Sequence, residues 1–293
     1  MQVGAGIAAR MFGTVSAAGL TGLRLWAATL LLAAMGARPT LRAVRGVIAE
    51  RAWRDAVLVA AFGVTLGIMN FSIYQSFARI PLGIAVTIEF LGPLGVSVAM
   101  SRRWIDLLWV VLAGTGVALL GTAGVMAPAL DSAATGAAHA SRTGTEVAGV
   151  IFALVAATAW ACYILLSAAT GRRFSGSSGL VIAMAVASVI ITPAAVASAG
   201  RALLKPAVLA SGLAIGLLSS VIPYRFELET LRRVPARVFG IWMSLEPAVA
   251  ALVGIVMLSQ ALSALQWIAI SCVIAASAGA ALGAGQSATA AQA

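Results

Sequence analysis

Nine apolar runs of about twenty residues, joined by short segments that hold most of the arginines, constrain this chain more than any motif does. They fall at about 17–36, 56–78, 80–100, 104–125, 147–169, 178–199, 207–231, 235–258 and 263–284. At about 1.5 Å of rise per residue, each run is long enough to cross a hydrocarbon core of roughly 30 Å as a helix. Composition agrees. The chain is 61% hydrophobic and 10% charged, against roughly 25% charged in soluble domains. A net charge of +10 would suggest nucleic acid in a soluble protein. Here the arginines lie in loops between apolar runs, where they set topology and meet anionic lipid headgroups, so lipids are expected partners and nucleic acid is not.

One set of loops carries Arg38, Arg42, Arg45, Arg51, Arg54, Arg102, Arg103, Arg172, Arg173, Arg232, Arg233 and Arg237. The opposite loops carry Arg79, Arg142, Arg201 and Lys205. The richer side is expected to be cytoplasmic, which puts the C-terminus inside. Residues 1–12 are small and apolar but reach only about 18 Å, too short to cross. They are read as the end of a first helix. Residues 127–146 form the one long polar stretch and divide the chain. The expected organisation is a first repeat at 1–126 with helix 1 incomplete, a linker at 127–146, a second repeat at 147–284 and a disordered tail at 285–293. Five helices is an odd number, so two such halves face opposite ways. The fold class is therefore an all-α integral membrane protein, nine full spans and a stub, built as two inverted five-helix repeats.

Within those halves two segments echo each other: ARIPLGIAVTIEFLGPL at 78–94 and RRVPARVFGIWMSLEPAV at 232–249. Superimposing Pro81 on Pro235 aligns Arg79 with Arg233 and Pro93 with Pro247. Glu89 and Glu246 then fall three positions apart, on one helical face. Glu89 lies roughly 13 Å from the outer end of its helix and Glu246 roughly 16 Å from the inner end, so both are near the midplane. A charge there is costly, so each acid must pair, face water or hold a proton. A substrate ammonium or an exchanging proton would serve, and an interhelical hydrogen bond is the plainer reading. Pro93 and Pro247 remove backbone donors and are read as helix kinks that free a carbonyl one turn earlier.

Other polar residues lie in the apolar runs. Arg24 in LTGLRLWAATLLL has a fork suited to a carboxylate, either Glu89 in an ion pair or the carboxylate of an amino-acid substrate. Asn70, Tyr74 and Gln75 share the second run, and Trp160 and Tyr163 are candidates for cavity lining. Tyr224 reads as an interfacial tyrosine. Glu227 is a candidate gate at the inner mouth. Cys162 and Cys272 sit in apolar runs as small packing residues, with no metal or disulfide spacing. No nucleotide, nucleophile-elbow, zinc or haem motif is present, and no cofactor is expected. Gly114, Gly116 and the 275–280 stretch are small-residue packing signals.

The segments GIMNFSIYQSFARIPLGIAVTIEFLGPL, SRRWIDLLWVVLAG, AWACYILLSAATGRR, IPYRFELETLRRVPARVFGIWMSLEPAVAALVG and LQWIAI resemble the EamA family of the drug/metabolite transporter superfamily. The resemblance covers almost the entire chain. It implies ten helices in two inverted repeats in the bacterial inner membrane. It also implies efflux of small neutral amino acids of the threonine and homoserine kind, by proton exchange. The family cavity, carried over, brings in Tyr74, Glu89, Tyr224, Glu227 and Glu246, bordered by Trp160 and Tyr163. An amino acid is the expected ligand, and a homodimer stays open. Three departures stand out. The family's opening helix starts some 15–20 residues before Met1. Many relatives carry Gly-Glu where this chain has Ser259-Gln260, so any role of that acid is absent here. Arg225 replaces a small residue. The competing readings are an exporter of other metabolites or drugs on the same fold, and a truncated, non-transporting membrane protein.

Overall fold

A computed structural model describes residues 1–49, 52–100, 106–130, 136–174, 176–223, 226 and 242–290. Among them every regular element is helical: α1 (Gln2–Arg10), α2 (Ala17–Met35), α3 (Ala37–Ala49), α4 (Trp53–Phe77), α5 (Leu82–Glu89), α6 (Leu91–Ala99), α7 (Asp106–Leu130), α8 (Gly136–Gly171), α9 (Ser178–Ala199), α10 (Pro206–Gly216), a π-helical turn (Leu217–Val221), α11 (Glu246–Leu258) and α12 (Ala264–Ala290). Six apolar stretches of 18 residues or more are long enough to cross a bilayer, and α7, α10 with its π turn, and α11 carry shorter ones. Leu30, Leu107, Val111, Val189 and Val256 stand exposed on these helices. So much apolar surface facing outward belongs in lipid rather than water. The chain is a multi-pass membrane protein.

The elements begin and end for local reasons. The Ser16 hydroxyl accepts the Gly19 N–H at 3.0 Å and caps α2. Gly200, at φ 49°, ends α9 in a conformation that only glycine adopts freely. Pro206 opens α10, where its missing N–H costs nothing. Three expectations are corrected. The arginine-rich segment after α2 is largely helix α3, with Arg38, Arg42 and Arg45 on one helical face, an interfacial pattern. The polar linker is helical from Gly136 onward as the start of α8, and α12 stays helical to Ala290, past the expected tail boundary. Both stretches are alanine-rich, which favours helix.

The helices gather into two compact units, and neither is a sequence half. One unit holds Val3–Tyr74 and Ala159–Arg225; the other holds Gln75–Thr158 and Phe226–Ala293, with Gln2. In the first unit α2 and α9 are the main packing partners. They run antiparallel, since Ser16 meets Ser198 (2.7 Å), the Trp26 indole N–H donates to Thr192 (2.8 Å) and Thr29 meets Ser188 (3.0 Å). Hydroxyls and small residues glue these helices where lipid offers no hydrophobic drive. Leu25, Phe62, Leu66 and Met184 form the core alongside. At one end of this unit the Arg173 guanidinium donates to Asp55 at 2.7 Å. That joins the arginine turn after α8 to the start of α4, as two loops on one membrane face should be.

The second unit is built on two more antiparallel pairs, α7 with α12 and α5 with α11. A Cβ on Gly116 would stand 2.8 Å from the Ala269 carbonyl, and one on Gly279 would run into the Trp109 ring. Gly114 has open space around it. Of the glycine pair in the sequence, only Gly116 is therefore a contact residue.

Candidate functional site

The α5–α11 pair positions both membrane glutamates. A Cβ on Gly83 would lie 2.7 Å from Ala251 Cα, and Leu82 sits against Gly254 and Gln260. One step back along α5 is thus a step forward along α11. From that crossing, Glu89 lies about 9 Å along α5 and Glu246 about 8 Å along α11, in the same direction. The two carboxylates reach the same end of the helix pair.

Each acid also marks a discontinuity. Pro93 cannot donate to the carbonyl four residues back, which is that of Glu89. Helix α5 ends at Glu89, Phe90 turns, and α6 resumes at Leu91. The ladder continues on either side, with Phe90 N–H to the Val86 carbonyl at 3.0 Å and Leu94 N–H to the Phe90 carbonyl at 3.3 Å. The interruption between α5 and α6 thus falls at the acid itself, four residues before Pro93. Pro247 acts differently from the expected mid-helix kink. After helical Trp242 and Met243, Ser244 and Leu245 turn, and α11 starts at Glu246 with Pro247 in its first turn. Glu246 thus begins a helix, where N–H groups favour an anion. The Gln2 side chain hydrogen-bonds its carboxyl. Both glutamates are half-buried.

At the opposite end of α5 is a contact the sequence did not reveal. Ser259 closes α11 with φ 53°, and the Gln260 N–H bonds the Gly254 carbonyl at 3.1 Å. The Gln260 side-chain oxygen then accepts the Leu82 N–H at 3.0 Å, capping α5. The amide oxygen thus supplies the acceptor that caps α5. Ser259→Gly is expected to raise stability by about 1 kcal/mol, by relieving left-handed backbone. Gln260→Ala is expected to lower it by about 1 kcal/mol, and Gln260→Glu to keep the cap. The unfolding midpoints of the purified variants in detergent check these directions.

In the first unit the structure brings Arg24 and Tyr74 together, with the guanidinium carbon 5.3 Å from the ring centroid. Tyr74 is fully buried and lies one turn beyond Asn70 on α4. Asn70 is also buried and turns its amide N–H onto the Leu66 carbonyl at 2.9 Å. Arg24 donates from Nε to the Ser220 hydroxyl (3.3 Å) and from Nη2 to the Ser219 carbonyl (3.2 Å). All its partners among the described residues are neutral. Tyr163 packs on Phe62, ring centroids 5.3 Å apart, against the core of this unit, and Trp160 is half-buried one turn earlier on α8. Tyr224 and Glu227 lie outside the described residues.

A bundle of membrane helices broken at two acids is the architecture of a secondary transporter. The sequence comparisons agree. The EamA-like transporter family model matches residues 147–282. The chain is 37% identical over 285 residues to the threonine/homoserine exporter RhtA of Salmonella typhimurium (strain SL1344), covering 96% of this chain and 88% of that protein. It is 37% identical over 282 residues to the RhtA of Escherichia coli (strain K12), with the same coverage. This chain belongs to the EamA-like transporter family.

Proposed function

We propose that this chain is a secondary exporter of small neutral amino acids of the threonine and homoserine kind, driven by proton exchange across the bacterial inner membrane. Identity of 37% over 96% of the chain to proteins of that name carries the substrate class. The convergence of Glu89 and Glu246 on one end of the α5–α11 pair supports the site. A carboxylate in a low-dielectric site needs a counter-charge or a proton, and these two would exchange a substrate ammonium for protons.

The inverted repeat is supported by helix pairing. Counting the stub as a first helix, α2 and α9 hold the second place in their halves, α5–α6 and α11 the fourth, and α7 and α12 the fifth. Each packs antiparallel against its counterpart. A two-fold axis in the membrane plane has that effect, and it suits alternating access by rocking around a central site. The arginine distribution puts the C-terminus in the cytoplasm.

The test is export from cells preloaded with a panel of labelled amino acids, nucleotides and hydrophobic drugs. Threonine and homoserine are expected to leave faster than from cells lacking the protein, with dissipation of the proton gradient abolishing the difference. Accelerated loss of the drugs or nucleotides alone would instead support the broader exporter reading.

A further inference from the structure

A buried guanidinium with only neutral partners is the least explained charge among the described residues. Arg24 lies in the membrane span Ala17–Met35 with 8% of its surface exposed. An unpaired charge at that depth is costly and is characteristically paired or functional.

What holds it is readable from the sequence SSVIP at 219–223. Pro223 has no N–H for the carbonyl four residues back, which belongs to Ser219. The turn widens here into the π-helix Leu217–Val221, with the Ile222 N–H reaching back five residues to the Leu217 carbonyl. The Ser219 carbonyl accepts from Arg24 Nη2, and the neighbouring Ser220 hydroxyl accepts from Nε. π turns of this kind recur at functional sites. The two bonds use one edge of the fork. The Tyr74 ring, 5.3 Å away, covers a face and is itself met edge-on by Phe12, centroids 6.3 Å apart. Five donors minus two leaves three. One hydrogen on each terminal nitrogen points along the remaining edge, the bidentate geometry that a carboxylate fits. The backbone and the ring orient the guanidinium, and no described residue neutralises its charge.

We infer that Arg24 holds the carboxylate of the transported amino acid, with Ser219, Ser220 and Tyr74 as the residues that orient it. This rests on the exporter reading and adds to it the group recognised. The full-length protein, reconstituted in liposomes loaded with threonine, is given labelled threonine outside. Unlabelled threonine competes in one series, and threoninol, whose carboxylate is replaced by CH2OH, in the other. Wild type is expected to prefer threonine by at least about tenfold. Arg24→Gln is expected to lose about that factor for threonine and little for threoninol, so the preference collapses. Equal losses for the two ligands, the signature of a merely structural arginine, would overturn the assignment. Equal competition by both ligands in wild type would do so too, without any variant having to fold. Wild-type vesicles that exchange no small amino acid defeat the exporter reading itself; exchange without preference for the carboxylate defeats only the assignment to Arg24.

Discussion

Glu89→Gln and Glu246→Gln are each expected to cut threonine export by at least about tenfold while the protein reaches the membrane in wild-type amount. Glutamine keeps the size and most of the hydrogen bonding of glutamate and removes its charge and its exchangeable proton. Losing a charge-assisted contact to an ammonium corresponds to about 1.5–3 kcal/mol, or roughly 10- to 150-fold in affinity. The two acids differ in their backbone surroundings. Glu246 is the first residue of α11, beside N–H groups that favour an anion. Glu89 is the last residue of α5, beside the carbonyls of that helix's C-terminal turn. Carbonyls and a carboxylate together attract a cation, so Glu89→Gln is expected to raise the KM for threonine more than Glu246→Gln does. Concentration-dependent uptake into vesicles, normalised to membrane abundance, measures both effects. Wild-type export by both variants would remove the glutamates from the mechanism, and identical KM changes would remove the distinction between them.

How far these residues could be read in advance depended on the range of the interactions involved. The spans were legible because a run of apolar side chains long enough for the bilayer has few other fates. The interruption at Glu89 lies at the fixed spacing over which Pro93 acts on a carbonyl. Pro247 has the same local chemistry, yet it sits in the first turn of α11, where proline is tolerated and a preceding turn replaces the kink. The π turn at Leu217–Val221 escaped notice although Pro223 and the adjacent serines announce it, because a π insertion changes register without changing hydropathy. The clip from Gln260 to Leu82 spans 178 residues of sequence and could not be seen without the fold. Helix α3 was missed for another reason. Counting arginines for topology treats them as loop charges and ignores that Arg38, Arg42 and Arg45 share a helical face. The two compact units follow the same rule, since each joins segments from both halves through close contacts at small residues.

The largest structural effect is expected at Gly83. Gly83 lies in the first turn of α5, where glycine is still a poorer helix former than alanine, by up to about 1 kcal/mol, so propensity alone predicts that Gly83→Ala stabilises. The contact predicts the reverse. The added Cβ would meet Ala251 Cα at 2.7 Å, its Cβ at 2.8 Å and its backbone nitrogen at 3.1 Å. Two of those atoms belong to the backbone of α11, so no rotamer change makes room and the helices must separate. Overpacking of this kind costs about 1–3 kcal/mol, enough to reverse the sign set by propensity. The separation would also carry the two glutamates apart, because their common level depends on the crossing at Gly83 and Ala251. Gly83→Ala is therefore expected to lower the unfolding midpoint and reduce export together, and Gly83→Val to do both more severely. Ala251→Gly removes one of the three obstructing atoms and is expected to recover part of the Gly83→Ala loss, so the double variant should be less impaired than the sum of the singles. A stabilised Gly83→Ala would mean that the helices are not in close contact there, and strictly additive losses would mean that residues 83 and 251 do not share the crossing. In either case Glu89 and Glu246 would not be held at one end of the pair by a crossing at Gly83 and Ala251.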